Sequence, residues 1–349
     1  MLVSPQIENT VDSGHLDSSK AESRIEVVQS LRGIAALAVV WFHFTNGNVH
    51  FLREGLLKTS GAYGWLGVDI FFVISGFILP YSLFRAQYRP NLANYARFLW
   101  KRISRLDPPY LASLVIVLML GYLSAVMPGY HGSPPNYSSL TILMHLGYVN
   151  AFFGYPWLNV VYWSLAIEFQ YYLLIGLVFP LLLSKNRAVR LLLLSILGLS
   201  AVLIPSGGLV FHYFFLFIMG FAAFLSRSAI VERWEMLAVL GFALVGATAT
   251  VGGASALAGI ATSVVILAVG GTNRVLALFG ELSYSLYLTH VPVGGRVINL
   301  GERLGGGWIS KLAWLTAALA LTMLPAFALF RFVEQPCRRY AGSLRFQKI

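Results

Sequence analysis

The stretch VVQSLRGIAALAVVWFHFT (Val27–Thr45) is apolar enough to cross a bilayer, yet it carries Arg32 and His43. Nineteen residues at the helical rise span about 28 Å, close to the thickness of a hydrocarbon core. An arginine and a histidine inside such a segment are expensive, so they mark a functional face. They stand eleven residues apart, about three turns, which puts both side chains on nearly the same face about 16 Å apart along the axis. One helix therefore lines a common path that a long, extended, anionic ligand could follow.

The rest of the chain repeats the pattern. Of 349 residues, 57% are hydrophobic and only 11% are charged, with a mean hydropathy of +0.72. A water-soluble domain carries about 25% charged residues, and a globule could not hide this much apolar surface. Eight Trp and 17 Tyr suit membrane–water interfaces. Apolar runs lie at 27–45, 61–84, 106–127, 161–183, 191–206, 209–225, 236–251, 254–271, 275–293 and 308–331. The expected fold is all-α, a polytopic membrane bundle of about ten transmembrane helices. The stretch 138–154 reads as a re-entrant or interfacial outer helix, because an eleventh crossing there would put Lys185, Arg187 and Arg190 outside.

The net charge of +11 raises nucleic acid as a partner, but the basic residues sit in short connections and form no binding motif. No nucleic acid is expected. Arg85, Arg89, Arg97, Lys101, Arg102 and Arg105 follow the second run, and further clusters fall at 185–190, 227–233, 274 and 338–348. The connection 128–160 has no Lys or Arg. Positive-inside bias then puts the basic set, and both termini, in the cytoplasm. Polar residues 1–24 are expected to form a disordered cytoplasmic tail, 25–340 a single membrane domain and 341–349 a second cytoplasmic tail. The single cysteine, Cys337, excludes an internal disulfide, and no Cys/His spacing suggests a metal.

Ionisable residues within the runs are the candidate site. By residue counting, His43, Asp69, Glu168 and His290 fall in the outer half, and Arg32 and Glu281 in the inner half. Asp69 reads first as a hydrogen-bond acceptor for neighbouring helices, and Glu281 as an ion-pair partner for Arg32.

Several stretches together resemble membrane-bound acyltransferase family 3, which O-acylates bacterial surface glycans and other acceptors. SLRGIAALAVVWFHF (Ser30–Phe44) matches its Arg-x10-His signature. GVDIFFVISGFIL (Gly67–Leu79), KRISRLDPPYL (Lys101–Leu111), YWSLAIEFQYYLL (Tyr162–Leu174), SYSLYLTH (Ser283–His290) and VEQP (Val333–Pro336) follow in the family's order. Asp107 departs from the pattern by putting a carboxylate beside the paired arginines.

The resemblance implies cytoplasmic acyl-CoA as donor, with acetyl-CoA the simplest case, and no permanently bound cofactor. It implies that Arg32, Arg102 and Arg105 hold the nucleotide end, since guanidinium forks grip phosphates. The acceptor is expected to be a carbohydrate or a lipid-linked carbohydrate, at the outer face of a bacterial inner membrane. His43 is the expected general base, with Glu168 orienting it and His290 the second choice for base. His145 and Tyr148 are expected to border the acceptor's way in. No SGNH-type hydrolase domain follows the last run, which leaves room for a partner protein of a polysaccharide assembly system. A polytopic transporter of a glycan or lipid-linked sugar stays open as the alternative, although it has no use for an arginine pair that binds CoA.

Overall fold

The protein is described by a computed structural model covering residues 18–127, 137–271 and 273–347. The described residues form helices and no strands: α1 (Ser18–Asn46), α2 (Leu56–Gly61), α3 (Leu66–Arg85), α4 (Leu92–Ala125), α5 (Ser139–Leu146), α6 (Tyr162–Leu182) and α7 (Arg187–Leu203). They continue with α8 (Phe214–Arg227), α9 (Arg233–Thr250), α10 (Gly253–Ala268), α11 (Arg274–Thr289), α12 (Gly295–Leu304), α13 (Trp308–Leu329) and α14 (Gln335–Ser343). An all-helical answer is what a bilayer demands, because each backbone donor and acceptor is satisfied within its own segment. Six segments are long and apolar enough to cross: Glu26–Asn46, Leu56–Arg85, Leu92–Ala125, Tyr162–Leu182, Val210–Arg227 and Trp308–Ser343. This is a multi-pass membrane protein. The other four expected spans are also helices, α7, α9, α10 and α11, but each has only 16 to 18 residues.

Two expectations change in detail. The basic residues expected in the connection after the second run lie mostly on a helix, because α4 starts at Leu92 and carries Arg97, Lys101, Arg102 and Arg105 on its first four turns. Pro108 and Pro109 sit inside that helix rather than in a turn, as membrane helices allow. At the N-terminus, α1 reaches back to Ser18, into the stretch expected to be a tail; residues 1–17 lie outside the described ones. The C-terminal stretch docks on α4. Lys101 Nζ donates to Leu344 O at 2.7 Å and Gln347 N to Asn94 Oδ1 at 2.9 Å.

The stretch 138–154 holds α5, of eight residues, and a 3-10 turn at Asn150–Phe153. Eight residues rise about 12 Å, too short to cross.

Glycines set the central crossings. A Cβ built on Gly33 would lie 2.2 Å from Leu276 O, and one on Gly280 1.9 Å from Gln29 O, so α1 and α11 touch backbone to backbone. The same holds for Gly76 and Gly220 between α3 and α8, at 2.2 Å from Phe217 O and 1.9 Å from Val73 O. Small residues at such crossings let membrane helices pack by close contact, where hydrophobic exclusion from water gives no drive. Every residue from Phe214 to Leu225 of α8 is buried, so this helix is the apolar axis of one half of the bundle. The α1–α11 pair is the axis of the other, and it carries the ionisable residues.

Candidate active site

His43 and His290 meet. His290 stands where α11 passes into a π-helical segment, His290–Gly294, that leads directly into α12. Pro292 within that segment has no N–H to donate, and such bulges recur at functional positions. The ring atom His290 Nε2 lies 3.1 Å from His43 Nδ1. His290 Nδ1 lies 2.8 Å from Tyr287 O and 3.2 Å from Leu286 O, while His43 Nδ1 lies 2.9 Å from Val39 O.

Carbonyl oxygens only accept, which assigns both tautomers. The proton of His290 sits on Nδ1, so its Nε2 accepts. The proton of His43 also sits on Nδ1, shared between Val39 O and His290 Nε2. His43 Nε2 is left with a lone pair and no hydrogen bond to the described residues. His290 is fully buried, whereas His43 is half-buried and lines two cavities. One, of about 790 Å³, also touches Asn48, Asn159, Arg296 and Asn299. The other, of about 440 Å³, touches Asp69, Trp163, His212 and Tyr213.

Arg32, Arg102 and Arg105 line a separate, narrow cavity of about 80 Å³, with Glu168, Tyr172 and Ser283. Arg32 is aimed by α11, since its Nε and Nη2 donate to Ser283 Oγ at 3.2 and 3.0 Å. Arg102 Nη2 donates to Ser82 Oγ at 3.0 Å, and its guanidinium lies 5.4 Å from the Phe98 ring and 5.8 Å from that of Tyr172. Its buried Nε has no partner. Arg105 makes no hydrogen bond to the described residues. Three guanidiniums thus face one carboxylate, with donors to spare for an anionic ligand. Tyr287 lines both this cavity and the 440 Å³ one. Its hydroxyl shares a 2.6 Å hydrogen bond with Ser164 Oγ, and its ring stands 5.7 Å from that of His290.

The structure brings five of the six expected site residues into two groups, as two histidines and three arginines, and moves the sixth. Glu168 does not orient His43. It belongs with the arginines, where Oε1 accepts from Tyr172 OH at 2.5 Å and Ser75 Oγ at 3.1 Å. Residue counting gave depth but not the neighbour across the bundle, and α11 delivers His290 where α6 was expected to deliver a carboxylate. Glu281 is exposed and does not pair with Arg32, which bonds Ser283 instead. Asp107 accepts from Tyr148 OH at 3.0 Å and pairs with no arginine. His145 and Tyr148 are buried rather than bordering a way in. His145 Nδ1 lies 2.7 Å from Thr141 O, and its Nε2 accepts from Leu158 N at 3.1 Å. The residues sequence reasoning missed are Tyr287 and Trp163, which lie inside the quoted motifs SYSLYLTH and YWSLAIEFQYYLL but were not singled out, and His212, which lies in none.

The family described as "Acyltransferase domain" matches residues 26–331. The chain belongs to this acyltransferase family. A protein named "O-acetyltransferase OatA" from Staphylococcus aureus is 25% identical over 95% of this chain and 60% of its own length. The "Peptidoglycan O-acetyltransferase OatA" of Listeria monocytogenes is 27% identical over 49% of this chain and 27% of its own. This acyltransferase chain therefore spans 60% of the length of the staphylococcal protein. No solved structure matches it.

Proposed function

We propose that this protein is a membrane O-acyltransferase that moves an acyl group, acetyl in the simplest case, from cytoplasmic acyl-CoA to a hydroxyl of a surface glycan or glycan precursor. One observation carries the reading. His43 Nε2 offers a lone pair, backed by His290, on the same helix face whose other end points Arg32 at a cavity where three arginines face one carboxylate.

In this mechanism Arg32, Arg102 and Arg105 hold the phosphates of CoA, and the pantetheine arm runs along α1 toward His43. A cavity of about 80 Å³ is too small for that arm, so donor binding widens the arginine end. The thioester carbonyl then stands next to His43. The acceptor hydroxyl gives its proton to His43 Nε2 as its oxygen attacks that carbonyl, and the tetrahedral intermediate collapses with loss of the C–S bond. The thiolate takes the proton from the imidazolium, which restores the neutral base. His290 acts through His43: by accepting from Nδ1 it fixes the ring and the tautomer, as an orienting acceptor does for other catalytic histidines.

The membrane arrangement proposed with it has about ten crossings, the six long segments plus α7, α9, α10 and α11. The basic connections and both termini lie in the cytoplasm, and the membrane is a bacterial inner membrane. Charge asymmetry supports this side assignment. The acceptor is reached from the opposite face, directly or with a partner protein of a polysaccharide assembly system.

The test is purified protein in detergent with acetyl-CoA labelled in the acetyl group, following label transfer and CoA release. His43→Gln should lower the rate by about 10²–10⁴-fold, the usual contribution of a positioned base. A folded His43→Gln protein that turns over acetyl-CoA at the wild-type rate would overturn the proposal.

A further inference from the structure

We propose that the 440 Å³ cavity beside His43 is the acceptor's sugar-binding subsite, built for an uncharged pyranose ring. Two buried polar atoms without protein partners converge on it. Asp69, on the first turn of α3, is only 5% exposed, and its Oδ2 accepts from nothing. His212, just before α8, leaves its buried Nδ1 equally unpartnered, and both residues line the cavity together with His43. Buried polar groups are rarely left unsatisfied, and an orphaned carboxylate oxygen is the most costly kind, so a ligand that supplies hydrogen bonds is the natural complement.

The walls say which ligand. Trp65, Trp163 and Tyr213 line the same cavity, with the Trp163 and Tyr213 rings 5.5 Å apart and tilted by 35°. An aromatic face is electron-rich and attracts polarised C–H groups. A pyranose presents such C–H groups on its faces and hydroxyls around its edge. Its hydroxyls can donate to Asp69, and a further one can pair with His212. A negatively charged group, such as a lipid phosphate, is disfavoured beside the Asp69 carboxylate. The volume falls within the range of small-molecule pockets, about 300–1,000 Å³.

The larger cavity on the other side of His43 lacks this signature, because its Asn48, Asn159 and Arg296 side chains are already hydrogen-bonded within the protein. Asn48 Nδ2 donates to Asn299 Oδ1 at 2.9 Å and to Glu302 Oε2 at 2.8 Å. Arg296 Nε donates to Ser124 Oγ at 3.0 Å, and Asn159 Nδ2 to Leu288 O at 3.2 Å.

The assignment of this sugar as the acceptor rests on the proposed acyl transfer, but the binding does not, so it is measured without donor. The full chain, purified in detergent, is titrated calorimetrically with methyl β-D-glucopyranoside, methyl β-D-galactopyranoside and N-acetylglucosamine, and with glycerol and methyl phosphate for contrast. At least one pyranoside should bind saturably and more tightly than glycerol or methyl phosphate. Asp69→Asn should weaken it by about ten-fold or more, the loss expected for a charge-assisted hydrogen bond. Trp163→Leu should weaken it as well. Coenzyme A binding on the same preparations reports folding, and His212→Gln carries the polar test if Asp69→Asn does not accumulate. Failure of all three pyranosides to bind, binding no tighter than that of glycerol or methyl phosphate, or binding indifferent to these substitutions would overturn the subsite. If sugar binding depends on Asp69 while His43→Gln leaves acetyl-CoA turnover intact, the subsite stands and the transfer mechanism falls.

Discussion

The arginine end and the histidine end of this bundle both lie along the α1–α11 pair, with α4 adding Arg102 and Arg105 to the first, yet they are built in opposite ways. At the arginine end, α11 supplies Ser283 to aim Arg32, and the charged groups crowd into about 80 Å³. At the histidine end, α11 supplies His290 to aim His43, which looks into cavities of about 790 and 440 Å³. A narrow throat lined by three guanidiniums suits the phosphates of the proposed donor. A single oriented base facing broad cavities leaves room for the proposed bulky acceptor. The Gly33–Gly280 crossing lies at the arginine end of the pair, and the histidine contact closes its other end, so the separation of the two sites is set by packing as well as by residue spacing.

The comparison breaks most sharply at Arg105. With no hydrogen bond to the described protein, its contribution goes to the ligand, and each charge-assisted phosphate contact is worth roughly 1.5–3 kcal/mol. Arg105→Gln should therefore raise KM for acetyl-CoA by roughly 10- to 150-fold with little loss of thermal stability. Arg102→Gln should raise KM similarly but also lower Tm, because Arg102 bonds Ser82 and lies between two rings. Acetyl-pantetheine, which lacks the nucleotide, should show neither rise in KM. Equal losses with both donors would mean that the arginine end does not read phosphate.

A smaller effect is expected at His290, which touches the base and not the substrates. His290→Leu removes the acceptor for His43 Nδ1, and one such orienting bond is worth about 1 kcal/mol. The kcat should fall by roughly five-fold with KM for acetyl-CoA unchanged. His290→Gln keeps an accepting oxygen and should recover part of that loss. A His290→Leu enzyme whose pH profile and kcat match wild type would separate the two histidines functionally and leave His43 to act alone.

Legibility from the sequence followed the physics of each signal. Apolar length found the helices at every expected position, because exclusion of charge from a hydrocarbon core acts residue by residue along the chain. It could not count crossings, since α7, α9, α10 and α11 are short helices whose length alone does not decide. The Arg32–His43 pair was legible because both lie on one helix, where spacing fixes direction. Glu168 and Glu281 were misjudged because depth along a span says nothing about the neighbour across it: His290 of α11 meets His43, and Ser283 meets Arg32. The π-helical segment that presents His290 had only Pro292 as a cue. His212 had none, because an orphaned atom is a property of packing and not of residue type.

The proposed transfer also requires the two ends to face opposite sides of the membrane, and this is testable with almost no effect on activity. Glu54, Lys185 and Ser206 are all exposed, and none of their side chains lines a cavity near the two sites. On a Cys337→Ser background, Glu54→Cys, Lys185→Cys and Ser206→Cys should each keep activity within about two-fold, as surface substitutions do. Between positions 54 and 185 the chain passes through α3, α4 and α6, an odd number of crossings if α5 stays on one face. Glu54→Cys should then react with an impermeant maleimide in intact cells and Lys185→Cys only after permeabilisation. Ser206→Cys adds one more helix, α7, whose 17 residues rise about 25 Å and can cross only if the bilayer thins or the ends tuck in. Labelling of Ser206→Cys from outside would show that α7 crosses and that short helices count. Labelling of Lys185→Cys from outside would make α5 a crossing, put the arginine end and the histidine end out of register with the two compartments, and remove the basis for delivery to the outer face.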